Sequence, residues 1–430
     1  MMSVGAPSGA PCGRLGGDGM SEAPETMVRI TGSPRRYDWG SLDRLPDFLG
    51  AAPDGRPLAE VWFGVHPEGP ASLASGEDED ARRTLLSDHI VSDPMRTLGP
   101  DVVGRYGEQL PYLLKLIAPD RALSLQVHPD LDRARDGYLA EEAAGIPRGA
   151  FERNYPDSNH KPELVYALET FEAVCGFRAP RRALEVIADL DCEVTDAMAE
   201  SLRGDPSANG VRAVVENLLG TDTRPTPDQV AAVAEACARR LESGRSPSPR
   251  IDRIVGKLAT EHPGDPGIVV VLLLNPVTLQ PGEAMFAPAG TVHAYLSGLA
   301  VEIMASSDNV LRAGLTSKHI DVPEVLETLD YVAAPPVRIA PEHVSEAVAV
   351  FYAPVDDFEL AVVTPAAVGE GGALVPGRGP RVLLAIDGEV SVRIDGTTAT
   401  LARGEAAFVS GECGPVTAFG EGRFVQADVP

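Results

Sequence analysis

Hydrophobic positions along this chain mostly come in short runs broken by Pro and Gly. From Val28 to about Arg178 the runs are irregular, and Leu113–Ile117 and Leu123–Val127 read as strands. From Pro180 to about His262 the texture changes to an Ala-, Leu-, Arg- and Glu-rich pattern of helical period. Thr226-Pro227-Asp228 opens a helix there, with Thr as cap, Pro at the first position and an acid in the first turn. That helix is predicted over Gln229–Leu241, ending near Gly244. The linker Ser243–Arg250 separates it from a shorter helix over Ile251–Ala259. Strands then return at Ile268–Leu274, Glu283–Ala287, His293–Leu296 and Val301–Met304. In the last region, from about Val348, the order Val382–Ile386, Asp387-Gly388, Val390–Ile394 predicts a hairpin, because Asp-Gly supplies the positive φ angles of a primed turn. Residues 1–27 mix Gly, Ser, Pro and Ala without an apolar core, so they read as a disordered tail and not as a signal peptide.

One repeat organises these elements. Leu279-Gln280-Pro281-Gly282-Glu283-Ala284-Met285-Phe286 recurs as Leu401-Ala402-Arg403-Gly404-Glu405-Ala406-Ala407-Phe408. A Gly-Glu turn feeding a strand that ends in Phe resembles the strand pair of cupin barrels. Two copies predict a mainly β protein with two cupin-like (jelly-roll) barrels and an α-helical insert. The expected units are the tail 1–27, a catalytic cupin-like part over 28–179, a helical insert over 180–262, the rest of the catalytic part over 263–345, and a C-terminal barrel over 346–430. The first copy runs on to His293, eleven residues beyond Gly282; the second has Pro415 at that offset, and no histidine follows His343. Any metal therefore belongs to the first barrel.

Composition narrows the classes. At 430 residues the chain exceeds the roughly 250–300 at which single cores stop growing. With 37 Lys+Arg against 63 Asp+Glu the net charge is −26, which argues against nucleic acid as a partner. No apolar run approaches the ~20 residues that span a bilayer, so no membrane role is expected. Five scattered cysteines without a C-x-x-C pair read as free thiols of a reducing cytoplasm. Any metal must then be held by nitrogen and oxygen. Only four of the cations are lysines, namely Lys115, Lys161, Lys257 and Lys318, so each raises the question of what Arg could not supply there.

Polar residues of the right kind converge on strands. Gln126 and His128, as i and i+2, share one face, with Ser124 in line behind them. Pro162 forces Lys161 into an extended conformation, so Lys161 and Glu163 share a face while His160 points elsewhere. His293 and Tyr295 form a third such pair. Taken singly, each could be an ordinary structural residue; together, in a chain with eight histidines, they point to a metal centre.

These residues also carry a resemblance. Tyr155-Pro156-Asp157-Ser158-Asn159-His160-Lys161-Pro162-Glu163 is similar to the Y-x-D-x-N-H-K-P-E signature of type I mannose-6-phosphate isomerases. The run from His293 to Lys318 resembles their second signature, departing at Ser317, where the family usually has Pro. Tyr37-Asp38-Trp39-Gly40-Ser41, Ala59-Glu60-Val61-Trp62 and Leu123–Pro129 match as well, and the likeness covers about Val28 to Tyr331. It implies one Zn²⁺ per chain on Gln126, His128, Glu163 and His293. It also implies interconversion of mannose 6-phosphate and fructose 6-phosphate through a cis-enediol(ate), serving GDP-mannose and glycan synthesis, in a cytoplasmic monomer. Two neutral imidazoles, an amide oxygen and one carboxylate would leave the site near +1, a strong Lewis acid.

Such chemistry needs an oxyanion stabiliser, a proton carrier and a phosphate grip. Arg312, charged at any working pH, is the stabiliser expected alongside zinc. Lys161, His160, Glu302 and a zinc-bound hydroxide are the proton-carrying candidates, with Lys161 or His160 preferred, and a lysine near Zn²⁺ and Arg312 is expected to have a lowered pKa. Ser124, Lys115 and Lys318 suit phosphate, Trp39 and Tyr295 the sugar, and Asp308, four residues before Arg312, is expected to orient that arginine. Lys257 reads as ordinary surface. The rival class is a cupin non-haem iron dioxygenase or a non-catalytic sugar-binding cupin, which Gln126 and the Lys/Arg cluster fit poorly.

Overall fold

The computed structural model describes residues 26–74 and 84–430. Most of the tail expected over 1–27, with Cys12, lies outside them. Among the described residues the strands form sheets of eight, seven, five and four strands, all pairings antiparallel. The protein is thus mainly β with helices added.

The sheets stack in layers, each with its own apolar core. The seven-stranded sheet runs in the order 337–339, 284–287, 163–167, 300–305, 112–117, 60–63, 33–35. Alternation sends Leu114, Leu116, Leu164, Val301 and Ile303 to one side, where they meet Phe351, Leu360, Val382, Leu384 and Phe408 of the eight-stranded sheet. The other side, with Ile117, Val165, Ala167 and Met285, meets Phe171, Ala173, Val277 and Tyr295 of the five-stranded sheet. The eight-stranded sheet in turn shares a core with the four-stranded one. Helices between Pro180 and Glu261 cover the outer face of the five-stranded sheet through a core that includes Leu125, Val174 and Ala294. The longest of them, Pro227–Glu242, begins with a full capping box between Thr226 and Gln229.

The two sheet pairs repeat one another in strand order, apart from Ser72–Leu73 at the edge of the eight-stranded sheet and Leu311–Gly314 at the edge of the five-stranded one. Gly282 (φ 93°) and Gly404 (φ 87°) make matching turns. The amides of Gly282 and Gly404 donate to the carbonyls of Ala167 and Ala385, and the carboxylates of Glu283 and Glu405 accept from the amides of Gln280 and Ala402. The ladders then fix the register: Ala287 lies opposite Glu163, and Val409 opposite Arg381. The second pair is completed by Met27–Thr31, which pairs with Ala406–Val409. Arg29 there meets Glu405 at 3.1 Å, as Arg338 meets Glu283 at 2.8 Å in the first pair. The stretch assigned to the catalytic part thus begins with a strand of the C-terminal sheet.

Two elements differ from the sequence expectation. Ile268–Leu273 is helical, a turn of α-helix over Gly267–Val270 followed by a 3₁₀ turn. It is buried on all sides between helices and sheet, where an unbroken apolar run suits either conformation. Arg381–Asp387 and Glu389–Ile394 do not pair; at Gly388 the chain crosses from the eight-stranded to the four-stranded sheet. The hairpin is the next one, Glu389–Ile394 with Thr397–Ala402, turning on Asp395 (φ 45°) and Gly396 (φ 84°). Two nearby Asp-Gly pairs carry the same local signal, and only the sheet partners separate them.

Candidate metal centre

The inner faces of the seven- and five-stranded sheets line a cavity of about 980 Å³. The five-stranded sheet brings three residues together by register: His293 lies opposite Gln126, and Arg312 lies opposite Gln126 on the other side. His128 follows just after the strand Leu125–Val127, and Glu163 enters from the facing sheet. Ligand atoms of His128, Glu163 and His293 lie within 4.8 Å of one another, all buried, close enough to hold one metal ion.

The histidines are set for that. His128 Nδ1 is 2.8 Å from the carbonyl of Asn309, and His293 Nδ1 is 2.9 Å from that of Thr291. A carbonyl only accepts, so each Nδ1 carries the proton and each Nε2 presents a lone pair. Both Nε2 atoms sit 3.2 Å from an oxygen of Glu163. For His128 that approach is too misaligned to count as a hydrogen bond, leaving its Nε2 buried and without a partner. Lone pairs facing a carboxylate repel unless a cation lies between them, so the residues present fit a metal. Burial, with Lys161 next, lowers the His128 pKa to about 4 and keeps it a neutral ligand. Burial pushes the Glu163 carboxyl up, but the Lys161 ammonium bonded to it outweighs burial and holds the group well below the ordinary range.

Around this centre, Ser124, Lys115, Lys161, Lys318, Trp39, Tyr295, Glu302, Asp308 and Arg312 all line the cavity. Lys161 Nζ bonds Glu163, and Tyr295 donates its hydroxyl to Glu163 at 3.2 Å. Trp39 stacks on Tyr37 with ring centroids 5.6 Å apart. Burial and the neighbouring charge of Arg312 lower the Lys318 pKa.

Four expectations change. His160 faces away, toward the C-terminal sheets, with Nε2 2.9 Å from Asp357 Oδ2; extended backbone puts it opposite Lys161 and Glu163. Asp308 does not hold Arg312; it meets His66 at 3.0 Å and Arg148 at 3.2 Å, because Ser307–Val310 is not helical and a four-residue spacing there brings no contact. Lys115 is matched by Glu302 at 2.8 Å and Glu60 at 3.9 Å, and these charges outweigh burial to raise its pKa above the ordinary value. Lys257 donates to the carbonyls of Leu296 (2.8 Å) and Asp120 (3.2 Å), tying its helix to the five-stranded sheet.

Sequence reasoning missed the residues that join the two signatures. Asp157 accepts from the Ser307 hydroxyl (2.9 Å) and the Asp308 amide (2.7 Å). The Asn309 amide group donates to the carbonyls of Asp157 (2.8 Å) and Asn159 (2.7 Å). This network holds the Asn309 carbonyl against His128. Asp157, Ser307 and Asn309 lie inside the quoted motifs, but nothing local shows that they bind one another.

Residues 27–180 match the family model described as phosphomannose isomerase type I, catalytic domain. The chain is 35% identical over 406 residues to mannose-6-phosphate isomerase of Salmonella typhimurium, covering 93% of this chain and 99% of that protein. It is 35% identical over 404 residues to the Escherichia coli protein of the same name, at the same coverage. Its fold superposes on a zinc-bound crystal structure of mannose 6-phosphate isomerase with a TM-score of 0.84, at 33% identity, over 94% of this chain and 100% of that one.

Proposed function

The chain belongs to the type I phosphomannose isomerase family, and from that membership we propose how its cavity interconverts mannose 6-phosphate and fructose 6-phosphate. The observation that carries the reading is the convergence of an N/O metal-donor set with Lys161, Lys318 and Arg312 in one cavity. Gln126, His128, Glu163 and His293 would hold one zinc ion, which when bound polarises the oxygens of the substrate's carbonyl end.

The remaining work falls to the chain. Isomerisation removes a proton from C2 of the open-chain aldose, leaving its electron pair in a cis-enediolate, and returns a proton to C1, while the O2 hydroxyl proton passes to O1. Glu302, a carboxylate on the cavity wall, is assigned that oxygen-to-oxygen transfer. Both carbon transfers use one face, so one group can serve both. Lys161, bonded to Glu163 and lining the cavity, is assigned that role; His160 is turned away from it. Arg312, beside Gln126, offers a permanent positive charge to the developing oxyanion. Ser124 and Lys318 take the phosphate: an anion offsets the burial, and the repulsion from Arg312, that lower the Lys318 pKa. Trp39 and Tyr295 border the sugar.

In the finer reading, the two sheet pairs are cupin-like jelly-roll barrels, 180–262 is a helical insert, and the chain is a cytoplasmic monomer. The four described cysteines are free thiols, which suits a reducing compartment. Family membership does not favour the dioxygenase alternative. The test is a coupled assay on purified protein before and after chelation, with metal content measured. Activity should leave with zinc and return with it; activity in metal-free protein would overturn the assignment.

A further inference from the structure

A row of buried charge lies on the inner face of the seven-stranded sheet, behind the metal donors. Trp62, Lys115 and Glu302 are register neighbours on three adjacent strands, and Glu60 precedes Trp62 by two residues on the same face. The Trp62 indole N–H donates to Glu60 Oε2 at 2.6 Å. Lys115 Nζ lies between the two carboxylates, 2.8 Å from Glu302 and 3.9 Å from Glu60, and 5.4 Å from the Trp62 ring centroid. None of the four is more than 6% exposed. Burying ions costs several kcal/mol each before pairing offsets it, so a fold without use for such a row gains from losing it.

The molecule contains that control. In the C-terminal pair the same register positions hold Val348 for Glu60, Val350 for Trp62, Ala361 for Lys115 and Gln426 for Glu302. The same strand order forms there without any of the three charges. The row therefore serves the site and not the sheet.

We infer that Glu60 is a positioning residue for the isomerisation: anchored by Trp62, it holds the Lys115 ammonium so that Lys115 fixes the Glu302 carboxylate on the cavity wall. The inference rests on the isomerase reading above. Lys115 and Glu302 alone would make a neutral pair, free to swing toward Glu163. Glu60 gives the ammonium a second anchor on the side away from Glu302.

The test uses the zinc-loaded enzyme with mannose 6-phosphate as substrate. Glu60→Gln keeps an acceptor for the Trp62 indole and removes only the charge. It should lower kcat about tenfold or more, leave KM within about twofold, and leave zinc content and Tm near wild type. Glu60→Asp should recover part of the loss, and Glu60→Gln should add little in a Glu302→Gln background, because the two act as one unit. Unchanged kcat in Glu60→Gln overturns the inference, as does a loss that is fully additive with Glu302→Gln or that tracks lost zinc. Should Glu60→Gln not fold, Trp62→Phe takes its place: a fall in kcat at constant KM supports the anchor, and wild-type kcat overturns it. An inactive wild-type holoenzyme would instead count against the isomerase reading.

Discussion

The two sheet pairs share strand order and register, yet their interiors hold different solutions. At the positions of Gln126, His128, Glu163 and His293, the C-terminal pair has Val375, Gly377, Arg381 and Val416. Arg381 is fully buried, and its guanidinium donates to the carbonyls of Gly377 (3.3 Å), Gly414 (2.9 Å) and Cys413 (3.0 Å). Gly377 stands where His128 stands in the other pair, and Gly414 where Thr291 does. A Cβ on Gly377 would come within 2.4 Å of Asp428 Oδ2 and 2.9 Å of Arg381 Cδ. One pair thus surrounds a cation site with imidazole and carboxylate, while the other fills the same place with a cation of its own. Strand topology creates the interior; the residues at four register positions decide whether it does chemistry.

The sharpest break of this comparison is a matched pair of substitutions. His293→Ala should remove zinc and lower kcat/KM by on the order of a thousandfold, about 4 kcal/mol of transition-state stabilisation. Val416→Ala, at the same register position, should leave kcat/KM within about twofold and cost only about 1–3 kcal/mol of stability. Metal analysis, kinetics and urea unfolding decide it; a comparable loss of activity in both would erase the distinction.

Arg381→Met asks whether the internal cation holds the second pair together. It strips a donor from three carbonyls and leaves Asp428 without the cation that partly offsets its burial, so about 3–5 kcal/mol of stability should be lost with zinc content unchanged. Urea unfolding with wild-type midpoint would show that the guanidinium is dispensable.

The smallest effect concerns Asp428. Burial, only partly countered by Arg381, pushes its carboxyl up to about 7. The native state then keeps a proton that the unfolded chain releases near pH 4, so stability from this group falls as pH rises from about 4 through 7. Asp428→Asn should therefore stabilise the protein more at pH 8 than at pH 5, by about 2 kcal/mol. Equal Tm changes at the two pH values would contradict it.

Much of the catalytic pair was legible in the chain because its determinants are local. The i, i+2 spacing of Gln126 with His128 and the proline after Lys161 fix which side chains share a face, whatever the strands pair with. The Gly-Glu repeat announced two related turns because each turn closes on itself within four residues. Readings failed where the answer depended on a distant partner. Ile268–Leu273 is apolar throughout and carries no period, so its surroundings chose helix. Asp308 could be given a partner by spacing only if the segment were helical, and it instead found His66 and Arg148 from far along the chain. Glu60 and Trp62 were visible as a motif but had no role until Lys115 and Glu302 came beside them.

By itself the sequence determined which polar side chains share a strand face, the turn chemistry and the surplus of acid over base, because these are properties of residues and of neighbours two to four positions apart. Only the tertiary structure decided that the strand at Met27 completes the C-terminal sheet, that His160 is turned from the cavity, and that Arg381 stands where Glu163 does. Those outcomes depend on which strands pair across hundreds of residues, and that is set by the burial of whole sheet faces against one another.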